Sequence, residues 1–133
     1  MKKVYLFLAV FFISFLLIAC NEQTIKEHKE NITKGNPTVA DILLDNTDAD
    51  ILLLNGIVYK NAVDIAWVNE EDLTLGKEVA VIKKQTKDAE EFTDGVATKL
   101  NVGTKIYKSV GNGNIYIAVV KGKEIRYLGL IEG

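Results

Sequence analysis

One cysteine in 133 residues, and where it stands, limits what this chain can become. Cys20 closes an apolar run from Val4 to Ala19 that is broken only by Ser14 and preceded by Lys2 and Lys3. A helix that crosses about 30 Å of hydrocarbon needs roughly 20 apolar residues, and this run falls short of that. A basic start, a short apolar middle and a small residue at the boundary give residues 1–19 the pattern of a secretory signal peptide. Beyond Cys20 the chain has no thiol. It can form no internal disulfide, no thiolate metal site and no cysteine nucleophile, so packing alone must hold it together.

Leu17-Ile18-Ala19-Cys20 resembles the bacterial lipobox. The resemblance covers residues 1–20, and Ile18 is a less common choice at its position. It implies a diacylglyceryl group on the Cys20 thiol and cleavage between Ala19 and Cys20, with the new N-terminus open to acylation. It places the rest of the chain on the extracytoplasmic face of a cell membrane, with the bilayer as partner through acylated Cys20. Two acyl chains anchor stably where one is marginal. The alternative is an uncleaved apolar anchor with Cys20 incidental.

Removing residues 1–19 from 133 leaves 114 residues, with 14 basic and 18 acidic side chains and a net charge of −4. A mildly acidic chain is poorly matched to nucleic acid. One small domain is expected. Residues 20–37 comprise Cys20 and a polar, charge-rich stretch ending in Gly35-Asn36-Pro37, expected to act as a flexible tether. The folded domain is expected over 38–133.

Thr38 is placed to cap a short helix reaching about Leu44, with Val39, Ile42 and Leu43 on one face and Asp41 completing a variant capping box. ILLLNGIVY (51–59) is apolar at both parities, which predicts a strand buried on both faces. Its Asn55-Gly56 is either a bulge or a turn. Val63, Ala66 and Trp67 suggest a short helix within 62–72. Strands are predicted at 78–84, 96–100, 104–110, 115–120 and 124–131, the last three joined by Gly111–Asn114 and Lys121–Lys123 as an antiparallel meander. The expected fold class is mainly β (α+β): a small antiparallel sheet or partly open barrel with one or two short helices.

The inventory of chemical groups is sparse. Past the tether the sequence offers one serine, Ser109, on a predicted strand, and the lone histidine, His28, sits in the tether. A nucleophile, base and orienting acid held within hydrogen-bond reach is not expected from such a set. Asp45, Asp48 and Asp50 concentrate carboxylates as calcium loops do. An EF-hand register fails, because Ile51 replaces the turn glycine and Ile57 the bidentate glutamate. Weak cation binding and a plain acidic turn are the two readings of that stretch. Glu70-Glu71-Asp72 and Glu90-Glu91 offer a carboxylate pair for wall-polymer hydrolysis, or solvated charge. Gly111-Asn112-Gly113 lacks the following helix of a phosphate loop. Trp67, Tyr59, Tyr107, Tyr116 and Tyr127 serve either a core and its rim or a ligand surface. Trp67 and Tyr107 are the candidates for ligand contact, Tyr107 because it shares a strand face with Lys105 and Ser109.

Lipobox, short polar tether and one small β-rich domain together look like small lipoproteins of Gram-positive bacteria. ATKLNVGTKIY (97–107) and KEIRYLGL (123–130) share that look. By analogy of architecture, some proteins of this size intercept antibacterial peptides at the membrane. The expected function is a non-enzymatic, membrane-anchored binding module for a protein, peptide or envelope ligand, of immunity or sensory type, with no cofactor. The alternatives are a carboxylate-based envelope hydrolase and a weak cation-binding module.

Overall fold

The computed structural model describes residues 35–132. The expected signal segment, Ala19, Cys20 and the tether up to Lys34 lie outside the described residues.

Helix α1 spans Val39–Asp45. Thr38 is extended and its hydroxyl accepts from the Asp41 N–H at 3.2 Å, while the Asp41 carboxylate accepts from the Thr38 N–H at 2.9 Å. Two orphan donors of the first turn are thereby satisfied by side chains four residues of sequence supply. Val39 and Leu43, one turn apart, are the buried face.

Strands β1 (Ile51–Leu54) and β2 (Ile57–Asn61) form a hairpin. Asn55 and Gly56 both take positive φ, at 51° and 74°, so the pair is the two-residue turn rather than the bulge. Helix α2 is short, Ala66–Glu70. Strand β3 (Thr74–Val81) and strand β4 (Lys84–Gln85) follow, then a single 3-10 turn at Ala89–Glu91 and strand β5 (Val96–Ala97). The meander is β6 (Lys105–Val110), β7 (Ile115–Val120) and β8 (Lys123–Gly129).

Over the described residues the fold is mainly β, with two short helices on one eight-stranded sheet of order β3-β6-β7-β8-β2-β1-β5-β4. The sheet is larger than a small antiparallel one, and it is mixed: β4 and β5 run parallel. The reason lies at Ile82-Lys83, inside what reads as one strand. The Ile82 N–H donates to Thr104 O, whereas the Lys83 N–H donates to Gly95 O. At that step the chain leaves β6 and joins β5. Strands β3 and β4 stand at opposite ends of the order, yet three peptide units separate Val81 from Lys84, a reach of at most about 11 Å. The sheet must therefore curl into a half-barrel until its ends meet at this corner. Ile82 fills the corner and is fully buried.

The curl creates an inside and an outside. Leu52, Leu54, Tyr59, Ile82, Ile106, Tyr116, Ala118 and Tyr127 pack inside, with Tyr59 and Tyr116 stacked at 4.5 Å. Outside, α1 covers Ile51 and Val58 with Val39 and Leu43. Separately, α2 covers Ile115 with Val68, joined by Ala62 and Leu73. Strand β1 is thus buried on both faces, as its unbroken apolar run predicts. Each fully buried Leu or Ile contributes about 1.5–3 kcal/mol relative to exposure. Among the described residues, no helix is long and apolar enough to cross a membrane.

A cleft along the open half of strand β8

Strand β8 is paired unequally. On one side β7 matches it from Lys123 to Leu128. On the other side β2 matches only Tyr127, Leu128 and Gly129, and one further bond runs from the Ala62 N–H to Arg126 O at 2.9 Å. In an antiparallel ladder the N–H and C=O of one residue point to the same side, and the side alternates along the strand. Arg126 O faces β2, so the Glu124 N–H and C=O face that way too. Among the described residues no strand lies opposite them. After Ala62 the chain turns off: the Val63 N–H donates to Asn61 Oδ1, the Ile65 N–H donates to Ala62 O, and α2 begins.

The space left is a cleft of about 290 Å³ lined by Asn61, Val63, Asn69, Glu124, Ile125 and Arg126. Its walls are fixed by hydrogen bonds. Arg126 Nη1 donates to Val68 O and Glu71 O, at 2.5 and 2.9 Å, and so ties down the C-terminal end of α2. Those carbonyls are the orphaned, partly negative end of the helix, where a cation fits best. Helix α2 starts at Ile65, which offers no side-chain cap. Asn69 instead gathers the backbone that leads into the helix, its Nδ2 lying 3.0–3.1 Å from Ala62 O, Val63 O and Ile65 O. Behind the cleft, Asn61 Nδ2 and the Tyr127 hydroxyl donate to the two oxygens of Asp50, at 2.8 and 2.9 Å. Burial, and then the Asp50 charge, push the Tyr127 hydroxyl far above the ordinary tyrosine value. It is a permanent donor and a fixed post.

Arg126 has donors to spare. Nη1 carries two N–H groups, and two helix carbonyls occupy them. Arg126 is half-buried, and among the described residues no buried side-chain nitrogen or oxygen lacks a partner. Nε and Nη2 have no hydrogen-bond partner among the described residues. Glu124, two residues earlier on the same face, is exposed. The cleft thus combines an unpaired backbone segment, a guanidinium, a carboxylate and the apolar side chain of Val63, which is 69% exposed.

The residues singled out from the sequence fall elsewhere. Trp67 is half exposed on α2, the helix that carries Asn69, but it does not line the cleft. Tyr107 is half-buried on β6; its Cα partner is Ile117, whose partner on the far side is Arg126. The Trp67 helix and Tyr107 therefore share the outer face of the meander, two strands apart in register, and neither lines either cleft described here. Asp45 is exposed. Asp48 pairs with Lys87 and Lys99, each at 3.3 Å, and the hydrogen bond from Lys99 is the main cause holding its carboxyl below the usual value. Asp50 belongs to the Asn61–Tyr127 network. Asp48 and Asp50 have separate partners, and among the described residues no three Asp, Glu, His or Cys side chains converge on a metal position.

The remaining chemical candidates also have structural partners. Ser109 Oγ shares its one proton between Asn112 O at 2.6 Å and Ile115 O at 2.8 Å, bracing the β6–β7 turn. Glu71 accepts from Asn112, and Glu91 is held by Thr86 and Lys84. A second cleft of about 320 Å³ lies between α1, the β1–β2 hairpin and the 3-10 turn, lined mainly by apolar groups such as Val39, Leu53, Val58 and Phe92.

No protein-family model, curated protein or solved structure matches this chain. The cleft rests on geometry alone. Sequence reasoning missed Glu124 and Arg126, although one signal was present: Arg126 is a charged residue set between Ile125 and Tyr127 inside a strand.

Proposed function

We propose that this chain is a non-enzymatic binding module, held at the extracytoplasmic face of a bacterial membrane through acylated Cys20, and that it engages a protein or peptide partner at the β8 cleft. One observation carries the site: among the described residues no strand pairs with the Glu124 N–H and C=O on the β2 side, in a cleft flanked by opposite charges. Edge groups of this kind bind extended chains by adding a strand, with flanking side chains selecting among them. The lipobox-like LIAC carries the attachment. An anchored binder works by being kept where its partner passes, which calls for no catalytic group.

Photocrosslinking on intact cells tests both parts. A photoreactive amino acid in place of exposed Val63 should yield a discrete crosslinked species, and the same substitution at Val79 on β3 should not. Cys20→Ser should release the chain from the membrane fraction with its β domain still folded. A crosslink from Val79 alone would move the site. Turnover of an envelope polymer by the purified chain, abolished by a Glu→Gln change, would replace the reading with an enzymatic one.

A further inference from the structure

We infer that the β8 cleft takes the C-terminal end of an extended peptide, with its free carboxylate on Arg126. The inference rests on the cleft being the binding site proposed above, and it names what enters.

The track beside β8 is blocked at one end. A strand added beside Glu124 lies in line with β2, because both occupy the same side of β8. That line is already filled by Asn61 and Ala62, where β2 stops and the chain turns toward α2. An added strand runs into them after passing Glu124. It must end there or bend sharply away. A chain end fits without a bend.

The second step is which end. If the added strand runs antiparallel to β8, its N-terminal ammonium meets the closed end of the cleft. If it runs parallel, its C-terminal carboxylate does. The closed end is where Arg126 stands, and its Nε and Nη2 are the donors that α2 leaves unused. A guanidinium repels an ammonium and accepts a carboxylate in a two-bond fork. Arg126 cannot swing away to avoid the choice, because Nη1 is pinned between Val68 O and Glu71 O. Charge therefore selects the parallel orientation and a free carboxylate.

The third step concerns the residues before the end. Glu124 precedes Arg126 on the same strand face and lines the cleft beyond the point where β2 stops. A basic side chain near the peptide terminus meets it there, and an acidic one is repelled. Val63 gives an apolar wall for a neighbouring side chain. The ligand class is thus an extended peptide with a free C-terminus, preferring Lys or Arg shortly before its end.

The test varies the ligand, so it does not depend on whether an Arg126 variant folds. The full chain, in dodecylmaltoside micelles, is offered an equimolar pool of N-acetylated hexapeptides randomised at every position, half as free acids and half as C-terminal amides. Retained peptides are counted by mass spectrometry, and amide shifts of the isotope-labelled chain locate the contact. The inference expects acids to be retained over amides by about tenfold, the effect of one charge-assisted hydrogen-bonded contact. Shifts should centre on Glu124, Ile125 and Arg126, and Glu124→Gln should erase the basic preference. Equal retention of acids and amides, with shifts still at Glu124–Arg126, overturns the carboxylate assignment and leaves the cleft as a strand-addition site. Shifts confined to β3, or no retention at all, overturn the inference, while crosslinking from Val63 judges the binding reading separately.

Discussion

Helices α1 and α2 do the same job by different means. Each is short, each lies on the outside of the half-barrel, and each seals a small apolar cluster against the sheet. Helix α1 makes its own start: Thr38 and Asp41 cap it reciprocally within four residues. Helix α2 has no side-chain cap and only five residues. Its carbonyls are held by Arg126 from β8, and the backbone leading into it is gathered by Asn69. A helix of five residues is far below the length at which isolated helices persist. What differs is the sequence distance over which the holding groups are found. Helix α1 is capped locally, whereas α2 is held by a side chain of β8, fifty-odd residues later in the chain. The side chain that makes α2 possible is also the one that faces the cleft.

The largest test of this contrast is Arg126→Met, which keeps the aliphatic stem and removes the guanidinium. Two helix carbonyls lose a charged donor, and a cost of about 2–3 kcal/mol is expected in denaturant unfolding. Exchange of the Val68 and Asn69 amides should rise far more than that of the Ile42 and Asn46 amides in and just after α1. Equal acceleration in both helices would mean that α2 is no more dependent on the sheet than α1.

Asn69→Ala comes next. It removes a donor shared among three carbonyls and is expected to cost about 1–2 kcal/mol, felt at α2 and at the Val63 wall of the cleft. Thr38→Ala should cost about 1 kcal/mol, the usual loss for an N-cap hydroxyl, and should leave the α2 amides unchanged. An effect of Thr38→Ala on Asn69 exchange would show the two helices to be coupled.

Acid gives the smallest effect. The Thr38 N–H, and then the Thr38 hydroxyl, donate to Asp41 and hold its carboxyl below the ordinary aspartate value. Because the folded value is lowered, the contribution of this cap is complete above the ordinary value of about 3.9 and fades as pH falls through the lowered one. Helix α2 is held by a guanidinium and a side-chain amide rather than by a carboxylate. Lowering pH from 5 to 3 should reduce the protection of the Ile42 amide, whose N–H bonds to Thr38 O, relative to its intrinsic exchange rate before it reduces that of Asn69. The opposite order would count against the local character of α1.

The same division explains which features were legible in advance. Short-range devices could be read directly. Asn55-Gly56 and the Lys121-Gly122 step are both two-residue turns with positive φ, and the meander between Lys105 and Gly129 follows from the spacing of its turns. The corner at Ile82-Lys83 could not be read this way. Glu78 to Lys84 looks like one strand because each residue suits a strand; what divides it is that Thr104 and Gly95, from two different places, claim successive N–H groups. The parallel β4–β5 pair is invisible for the same cause. The cleft is harder still, since it is defined by where β2 stops relative to β8. Trp67 and Tyr107 stood out by residue type, but residue type does not say which edge of a sheet is left open.

By itself the sequence determined the local grammar of this protein: the capped start of α1, the glycine and asparagine turns, the strands buried on both faces, and a chain beyond Cys20 that must cohere without thiol chemistry. These rest on interactions between residues a few positions apart, whose geometry the backbone fixes almost regardless of context. The tertiary structure alone decided the closure of the half-barrel, the survival of a five-residue α2, and the placing of Arg126 beside the unpaired edge at Glu124. Each of these joins groups distant in the chain, and their meeting depends on how many residues each strand has left when its partner runs out.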